Sequence, residues 1–234
     1  MRLAFFDVDY TLYKGFTVVQ FFKAFAEKNH QTDLMDERKR LESEVKAGSI
    51  DQQRLVEWSM SLAARAVEGF SVEYVENEIK KTISTEGEFF PWVQPLFNYL
   101  KQLNFRIYLV SASIEPMIAE IAHQLGVEHY FATILEQIDG LYTGKVLTVR
   151  NGHSKLDTLH TVIGEITEHN DVIAFGDSDG DVAMLSAADQ GFVVDPIEYS
   201  DKILAAAHEH GWPVLKHETA LEQVKQTLSE KFDI

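Results

Sequence analysis

Residues 2–6 (RLAFF) form an unbroken apolar run that stops at Asp7. A run without alternation fits a strand buried on both faces of a sheet. Beyond Thr11 the period lengthens, and Val18, Phe21, Phe22 and Phe25 fall at i, i+3, i+4 and i+7 on one helical face. Leu34, Leu41 and Val45 stripe a second helix, and Ser49 to Gln52 reads as a capping box opening a third. Val72, Val75, Ile79 and Ile83 stripe a fourth, with Ser71 as its N-cap. Residues 14–86 are therefore expected to be a helical insert of about four helices with no strand.

After the insert the texture alternates. Pro91 suits the first turn of a helix reaching about residue 102. FRIYLV at 105–110 reads as a strand, followed by a helix from about 115 to 125 that ends at Gly126. A short strand at 131–134 leads into a hairpin punctuated by Asp139-Gly140 and Thr143-Gly144. Ser154 is placed to cap a helix running to about His169, DVIAF at 171–175 is another buried strand, and a helix is expected from about 179 to 188. GFVV at 191–194 is a further strand, and two more helices flank Val214-Leu215. Strands alternating with helices imply βαβ units and a parallel sheet. The expected fold is α/β: a Rossmann-like parallel-sheet core (residues 1–13 and 87–234) interrupted by an all-helical cap (residues 14–86).

Composition narrows the chemistry. The 234 residues are 45% hydrophobic, enough for a sizeable core. The formal net charge is −16, which sets the average surface against nucleic acid. The absence of cysteine excludes disulfides, thiolate zinc sites and a cysteine nucleophile. The opening apolar stretch breaks at Asp7 before a signal-peptide core forms, and no apolar run approaches the roughly 20 residues that span a bilayer. A cytoplasmic protein without stable membrane insertion is expected.

In an open parallel sheet, ligands bind beyond the carboxyl ends of the strands. Asp7, Asp9 and Thr11 follow the first strand, Ser111 and Ser113 follow FRIYLV, and Gly176, Asp177, Ser178, Asp179 and Asp181 follow DVIAF. Lys155 opens the helix after the hairpin. A carboxylate such as Asp7 can attack phosphorus and form an acyl phosphate. Its charge repels a phosphate ester, so a cation must offset both, and Mg²⁺ suits one or two carboxylates plus phosphate oxygens. Asp7 and Asp177 would supply those carboxylates. Asp9 would protonate the leaving alkoxide, helped by crowding that raises a carboxyl pKa. Ser111, the backbone N–H of Ala112, and Thr11 would bind phosphate oxygens, and Lys155 would place positive charge where the transition state spreads negative charge.

These residues resemble the haloacid dehalogenase superfamily: FFDVDYTL matches its D-x-D-x-T motif, YLVSAS its strand ending in Ser or Thr, Lys155 its lysine, and AFGDSDGD its final acidic motif. The resemblance implies that Asp7 is nucleophile and magnesium ligand. It makes Asp9 the acid/base, also giving its backbone carbonyl to the metal, and Asp177 a direct ligand. Asp181 would orient Lys155 or a metal-bound water. The early helical insert and the phrase LEQIDGLYTGKV are similar to the phosphoserine phosphatase branch. Two departures point away from phosphoserine itself: Gly180 stands where that branch often has Asn, and no acid follows the first motif until Glu27. The expected activity is hydrolysis of a small phosphorylated metabolite through an aspartyl phosphate, the alternative being transfer of the same phosphoryl group to an acceptor other than water.

Other residues have simpler readings. Lys145 reads as a solvated hairpin charge, Ser113 as an N-cap, and Asp179 as the cap of the helix that follows it. DSDGD lacks the twelfth-position Glu of a calcium loop, since that position is Ala188. His208, His210 and His217 read as solvated surface. Tyr13, Lys14 and Phe16, where the chain enters the insert, are candidates for substrate contact.

Overall fold

A computed structural model describes residues 1–50, 52–86, 88–165, 171–196 and 201–232. The chain runs β1 (Arg2–Phe6), α1 (Thr17–Phe22), α2 (Thr32–Lys46), α3 (Gln52–Ala66), α4 (Val72–Glu86), α5 (Val93–Gln102), β2 (Phe105–Ile114) and α6 (Glu115–Leu125). It continues through β3 (His129–Ile138), β4 (Leu141–Thr148), α7 (Gly152–Glu165), β5 (Val172–Gly176) and α8 (Val182–Ser186). It ends with β6 (Gln190–Val194), α9 (Asp201–His210), β7 (Val214–Leu215) and α10 (Ala220–Phe232). The seven strands form one sheet in the order β4-β3-β2-β1-β5-β6-β7. Every pairing is parallel except β3 with β4. The fold is α/β and Rossmann-like, as the alternating texture predicts.

β1 is the centre of the sheet and the point where the strand order reverses, with β2 on one side and β5 on the other. Its unbroken apolar sequence follows from burial on both faces. On one face Phe6, Phe175 and Phe192 occupy paired positions of three adjacent strands and stack at 4.2 and 4.6 Å between ring centroids. On the other face Phe5 stacks on Tyr108 at 5.0 Å. These ladders fix the register. Phe6 pairs with Phe175, so the carboxyl ends of β1 and β5 leave the sheet at one level.

Among the described residues, 14–86 contain helices and no named strand. The apolar stripe of α1 is real, but the helix widens to a π-helical turn over Lys23–Glu27. Phe21 and Phe25 still bury together, with centroids 4.6 Å apart. Ser71 caps α4 as expected, its Oγ accepting the Tyr74 N–H at 3.2 Å. The capping box read at Ser49 to Gln52 spans Asp51, which lies outside the described residues. The insert helices share one apolar cluster with the sheet, including Phe25, Val75 and Ile79 beside Ile114, Ile118 and Tyr142. The β3–β4 hairpin braces the α3–α4 connection through Gly69 N–H to Tyr142 O (2.8 Å) and Val72 N–H to Gly140 O (3.0 Å).

Several boundaries differ from expectation. α5 starts at Val93, two residues past Pro91. β3 is longer than 131–134, because it pairs with both β2 and β4. Asp139 and Gly140 make the hairpin turn, both with positive φ (50° and 76°), the signature of a type I′ turn. Gly144 instead lies within β4, near a register shift. The expected helix end near His169 lies outside the described residues. The region 179–188 opens with a 3₁₀ turn, Asp179–Asp181, before α8. His208 and His210 are exposed, but His217 is not solvated. It stacks on Phe90 at 3.5 Å and its Nδ1 accepts the Trp92 indole N–H at 3.2 Å. Burial lowers its pKa.

Candidate active site

Asp7 sits directly after β1 and is almost fully buried. Its N–H donates to Phe175 O at 3.0 Å, tying it to β5. Asp177 follows the end of β5 and is also buried. The Thr11 hydroxyl lies between them, 3.3 Å from Asp7 Oδ2 and 3.2 Å from Asp177 Oδ1. Expected among the phosphate-binding groups, Thr11 here belongs to the carboxylate network. One O–H proton serves two acceptors, so Thr11 couples the two acids.

A tight turn carries the chain from Asp7 to Asp9 and on into the insert. Leu12 N–H and Tyr13 N–H both donate to Val8 O (2.9 and 3.0 Å), and Tyr10 adopts φ 57°. A bulky residue in the left-handed region is strained, and such strain clusters at functional sites. Asp9 Oδ1 accepts the Thr17 N–H at 2.9 Å, and the Thr17 hydroxyl bonds Ser113 Oγ at 2.6 Å. Asp9 thereby joins β1, the start of α1 and the end of β2.

β2 runs on to Ile114, so Ser111, Ala112 and Ser113 are part of the strand rather than its exit. Its register with β3 shifts between Val110 and Ile114, an irregularity over the segment that carries these three residues. Ser111 Oγ accepts the Ser113 N–H at 3.1 Å. Ser113 does not cap α6: Ile114 holds that position with no side-chain cap, and Ser113 meets Thr17 instead.

Lys155 lies in the first turn of α7, where the helix dipole disfavours a cation. It is nonetheless buried, bonded to Asp7 Oδ1 and 2.6 Å from Asp181 Oδ1. Asn151, rather than Ser154, caps this helix: its Oδ1 accepts the Ser154 N–H at 3.2 Å, and its N–H donates to Ser154 Oγ at 2.6 Å. Asp181 Oδ2 accepts from the N–H and hydroxyl of Ser178 at 3.2 and 3.0 Å. Both Asp181 oxygens are thus engaged, one of them in holding Lys155. Asp179 caps a different helix from the one expected, its Oδ1 accepting the Ile203 N–H of α9 at 3.0 Å. Lys145 is exposed, 3.9 Å from Glu136.

The charges do not balance. Asp7, Asp177 and Asp181 place carboxylate oxygens within 4.8 Å of one another, and among the described residues Lys155 is the one ammonium paired with them, through Asp7 and Asp181. Burial first, then the neighbouring Asp181 and Asp9 charges, push Asp7 up to about 7 despite Lys155. Burial and the charges of Asp7 and Asp181 hold Asp177 well above the usual carboxylate range. Burial raises Asp9 to about 6 against the hydrogen bonds from Thr17. Burial opposes the charge on Lys155, but Asp181 and Asp7 together outweigh it and raise its pKa. Such a cluster fits a hard divalent cation: oxygen donors, excess negative charge, and two carboxylates not taken up by capping.

Asp7 and Asp177 of this cluster line a cavity of about 990 Å³ that also reaches Asp9, Ser111, Ala112 and Lys155, while Asp181 lies behind them, fully buried. Of the three entry residues, Phe16 lines this cavity and is about half exposed. Tyr13 is fully buried with its hydroxyl donating to Gln20, and Lys14 pairs with Glu88. Neither lines the cavity. Asn151, Ser113 and Thr17 are the site residues that sequence reasoning missed or misread. Asn151, before a helix start, carried the detectable signal of an N-cap.

The haloacid dehalogenase-like hydrolase family matches residues 4–186. Phosphoserine phosphatase SerB1 of Mycobacterium tuberculosis (strain H37Rv) is 27% identical over 222 residues, spanning 90% of this chain and 69% of that protein. The crystal structure of a protein of unknown function from Bordetella pertussis Tohama I superposes with a TM-score of 0.76 at 22% identity, covering 92% of this chain and 98% of the other. A phospho-aspartyl intermediate analogue of phosphoserine phosphatase superposes with a TM-score of 0.64 at 21% identity, covering 89% and 98%. At these identities the structural likenesses establish a shared fold.

Proposed function

The chain belongs to the haloacid dehalogenase-like hydrolase family, and from that premise we propose that it is a magnesium-dependent phosphatase acting on a small phosphomonoester through an aspartyl phosphate on Asp7. The observation that carries this reading is the buried Asp7–Lys155–Asp181 chain of ion pairs with Asp177 beside it, at the carboxyl ends of the central strands. The phosphoserine phosphatase among its relatives supports the ester as substrate.

Asp7 attacks phosphorus while Ser111 Oγ, the Ala112 N–H and Lys155 hold the phosphoryl oxygens. The bond to the leaving oxygen breaks as Asp9 delivers its proton. Asp9, raised to about 6, retains enough proton near neutrality for that role. It then takes a proton from the water that hydrolyses the acyl phosphate, releasing phosphate and restoring Asp7. Asp7 and Asp177, with the backbone carbonyl of Asp9, would hold Mg²⁺, which supplies positive charge against the nucleophile and the ester. Asp181 is a positioning residue: it fixes Lys155. Residues 14–86 act as the cap over a core of 1–13 and 87–234, excluding water from the cavity.

Phosphate release from p-nitrophenyl phosphate, measured with Mg²⁺, with EDTA and in Asp7→Asn, tests the proposal. Turnover that needs the metal and vanishes in Asp7→Asn is expected. Turnover surviving in Asp7→Asn removes Asp7 as nucleophile.

A further inference from the structure

The cavity above Asp7 is far larger than a phosphoryl group needs. Its volume of about 990 Å³ lies at the upper end of the range for drug-sized ligands, roughly 300–1,000 Å³. The reacting groups occupy only its floor. Ser59 and two charged side chains aside, the wall contributed by the insert is mostly hydrocarbon: Val18 and Phe22 from α1, Leu41 from α2, and Leu55, Val56 and Met60 from α3. The apolar part of the lining is thus concentrated in the insert.

Two charged residues of the insert, Arg38 and Glu42, also reach the cavity. They are already joined to each other, Arg38 Nε to Glu42 at 3.1 Å. The guanidinium also bonds Glu27 at 3.0 Å and lies 5.2 Å over the Phe22 ring. Two carboxylates, Glu27 and Glu42, already offset its charge, so it has less to offer a substrate carboxylate. A small zwitterionic ester would strand its charges against hydrocarbon, where burial without partners is unfavourable. An ester with an apolar body would dry that wall, and the gain scales with the area covered.

Resting on the phosphatase reading above, we infer that the alcohol moiety of the substrate is an extended apolar body, aliphatic or aromatic, seated against Phe22, Leu41, Leu55, Val56 and Met60. Binding energy from this remote part of the substrate raises kcat/KM without touching the reacting atoms.

The test is a series of straight-chain alkyl phosphates from ethyl to octyl, kept below their aggregation concentrations, beside O-phosphoserine. Initial rates of phosphate release are measured on the Mg²⁺-loaded enzyme. The expected result is a rise in kcat/KM of about fourfold for each added methylene until the wall is covered, with octyl phosphate well above phosphoserine. In Leu55→Gln and Val56→Thr the ratio of octyl to ethyl kcat/KM falls at least fivefold. These positions are half-buried, so the changes do not open the core. A flat or falling series with phosphoserine the better substrate overturns the inference and leaves the phosphatase intact. If no ester is turned over, the phosphatase reading fails, and calorimetric binding of the same series to the protein decides this one. Affinity climbing with chain length supports it, and length-independent affinity overturns it.

Discussion

Gly176 has no room for a side chain because Asp181 stands over it: a Cβ at Gly176 would fall 2.4 Å from Asp181 Cβ. No real pair of carbons tolerates that separation, so Gly176→Ala must push Asp181 away. Asp181 holds Lys155, and Lys155 holds Asp7. We expect at least a tenfold loss in kcat on p-nitrophenyl phosphate and a loss of roughly 1–3 kcal/mol in stability from overpacking. Urea melts and steady-state rates on the same preparation check both. Full activity in Gly176→Ala means that Asp181 does not set the position of Lys155.

Among the described residues, Lys155 is the one ammonium paired with the acidic cluster. Lys155→Met keeps much of the side-chain volume and removes the charge. A loss of about 100-fold to 1,000-fold in kcat is expected from the missing electrostatic contact. Removing one partner of a buried pair costs about 3–5 kcal/mol when the other stays charged. Asp7 loses the cation that lowers its pKa, so in the variant it stays protonated to higher pH. The stability loss should therefore be smaller at pH 5 than at pH 8. Equal losses at the two pH values contradict this account.

Much of the site was legible because β1 and β5 are buried on both faces. Their apolar runs stop abruptly, and Asp7 and Asp177 mark the stops. Asp181 and Lys155 were legible through the motifs they share with the family, AFGDSDGD and a lysine opening a helix, whereas their burial shows only in the structure. What escaped were pairings between distant segments. Ser113 reads as a cap until Thr17, 96 residues away, takes its hydroxyl. His217 reads as solvated until Trp92, 125 residues away, donates to it. Lys14 looks free to meet a substrate until Glu88 closes on it. The π-helical turn at Lys23–Glu27 leaves the spacing of Phe21 and Phe25 intact, so periodicity does not reveal it.

The acidic cluster links stability to pH and to metal. Asp7 and Asp9 have folded pKa values of about 7 and about 6, above the 3.8 of an unperturbed Asp. The folded state therefore holds protons that the unfolded state has released. Metal-free protein is stabilised by these protons at low pH and loses that contribution as pH rises from about 4 to about 7, by about 1.4 kcal/mol per pH unit for each proton difference. On the proposed reading Mg²⁺ would replace the protons, so its stabilising effect should grow from pH 5 to pH 8. Melting temperatures in EDTA and in millimolar Mg²⁺ at the two pH values measure this. The metal-free slope should also shrink in Asp7→Asn, and a slope unchanged there assigns the effect to other groups.

Thr17 tunes the acid. Its N–H bonds Asp9 Oδ1 at 2.9 Å, and its backbone and side-chain hydrogen bonds both lower the Asp9 pKa against the larger effect of burial. Thr17→Val keeps the shape and the N–H but removes the hydroxyl. Asp9 should then rise above about 6, staying protonated at higher pH. A general acid must be protonated to act, so the basic limb of the kcat/KM profile should move up by less than about one pH unit. The substitution also breaks the 2.6 Å contact with Ser113, which ties α1 to the end of β2. A purely structural loosening would lower the plateau and leave the limb where it is. Movement of the limb to higher pH in Thr17→Val identifies Asp9 as the group that protonates the leaving alcohol, whereas a fixed or falling limb assigns that proton to another donor.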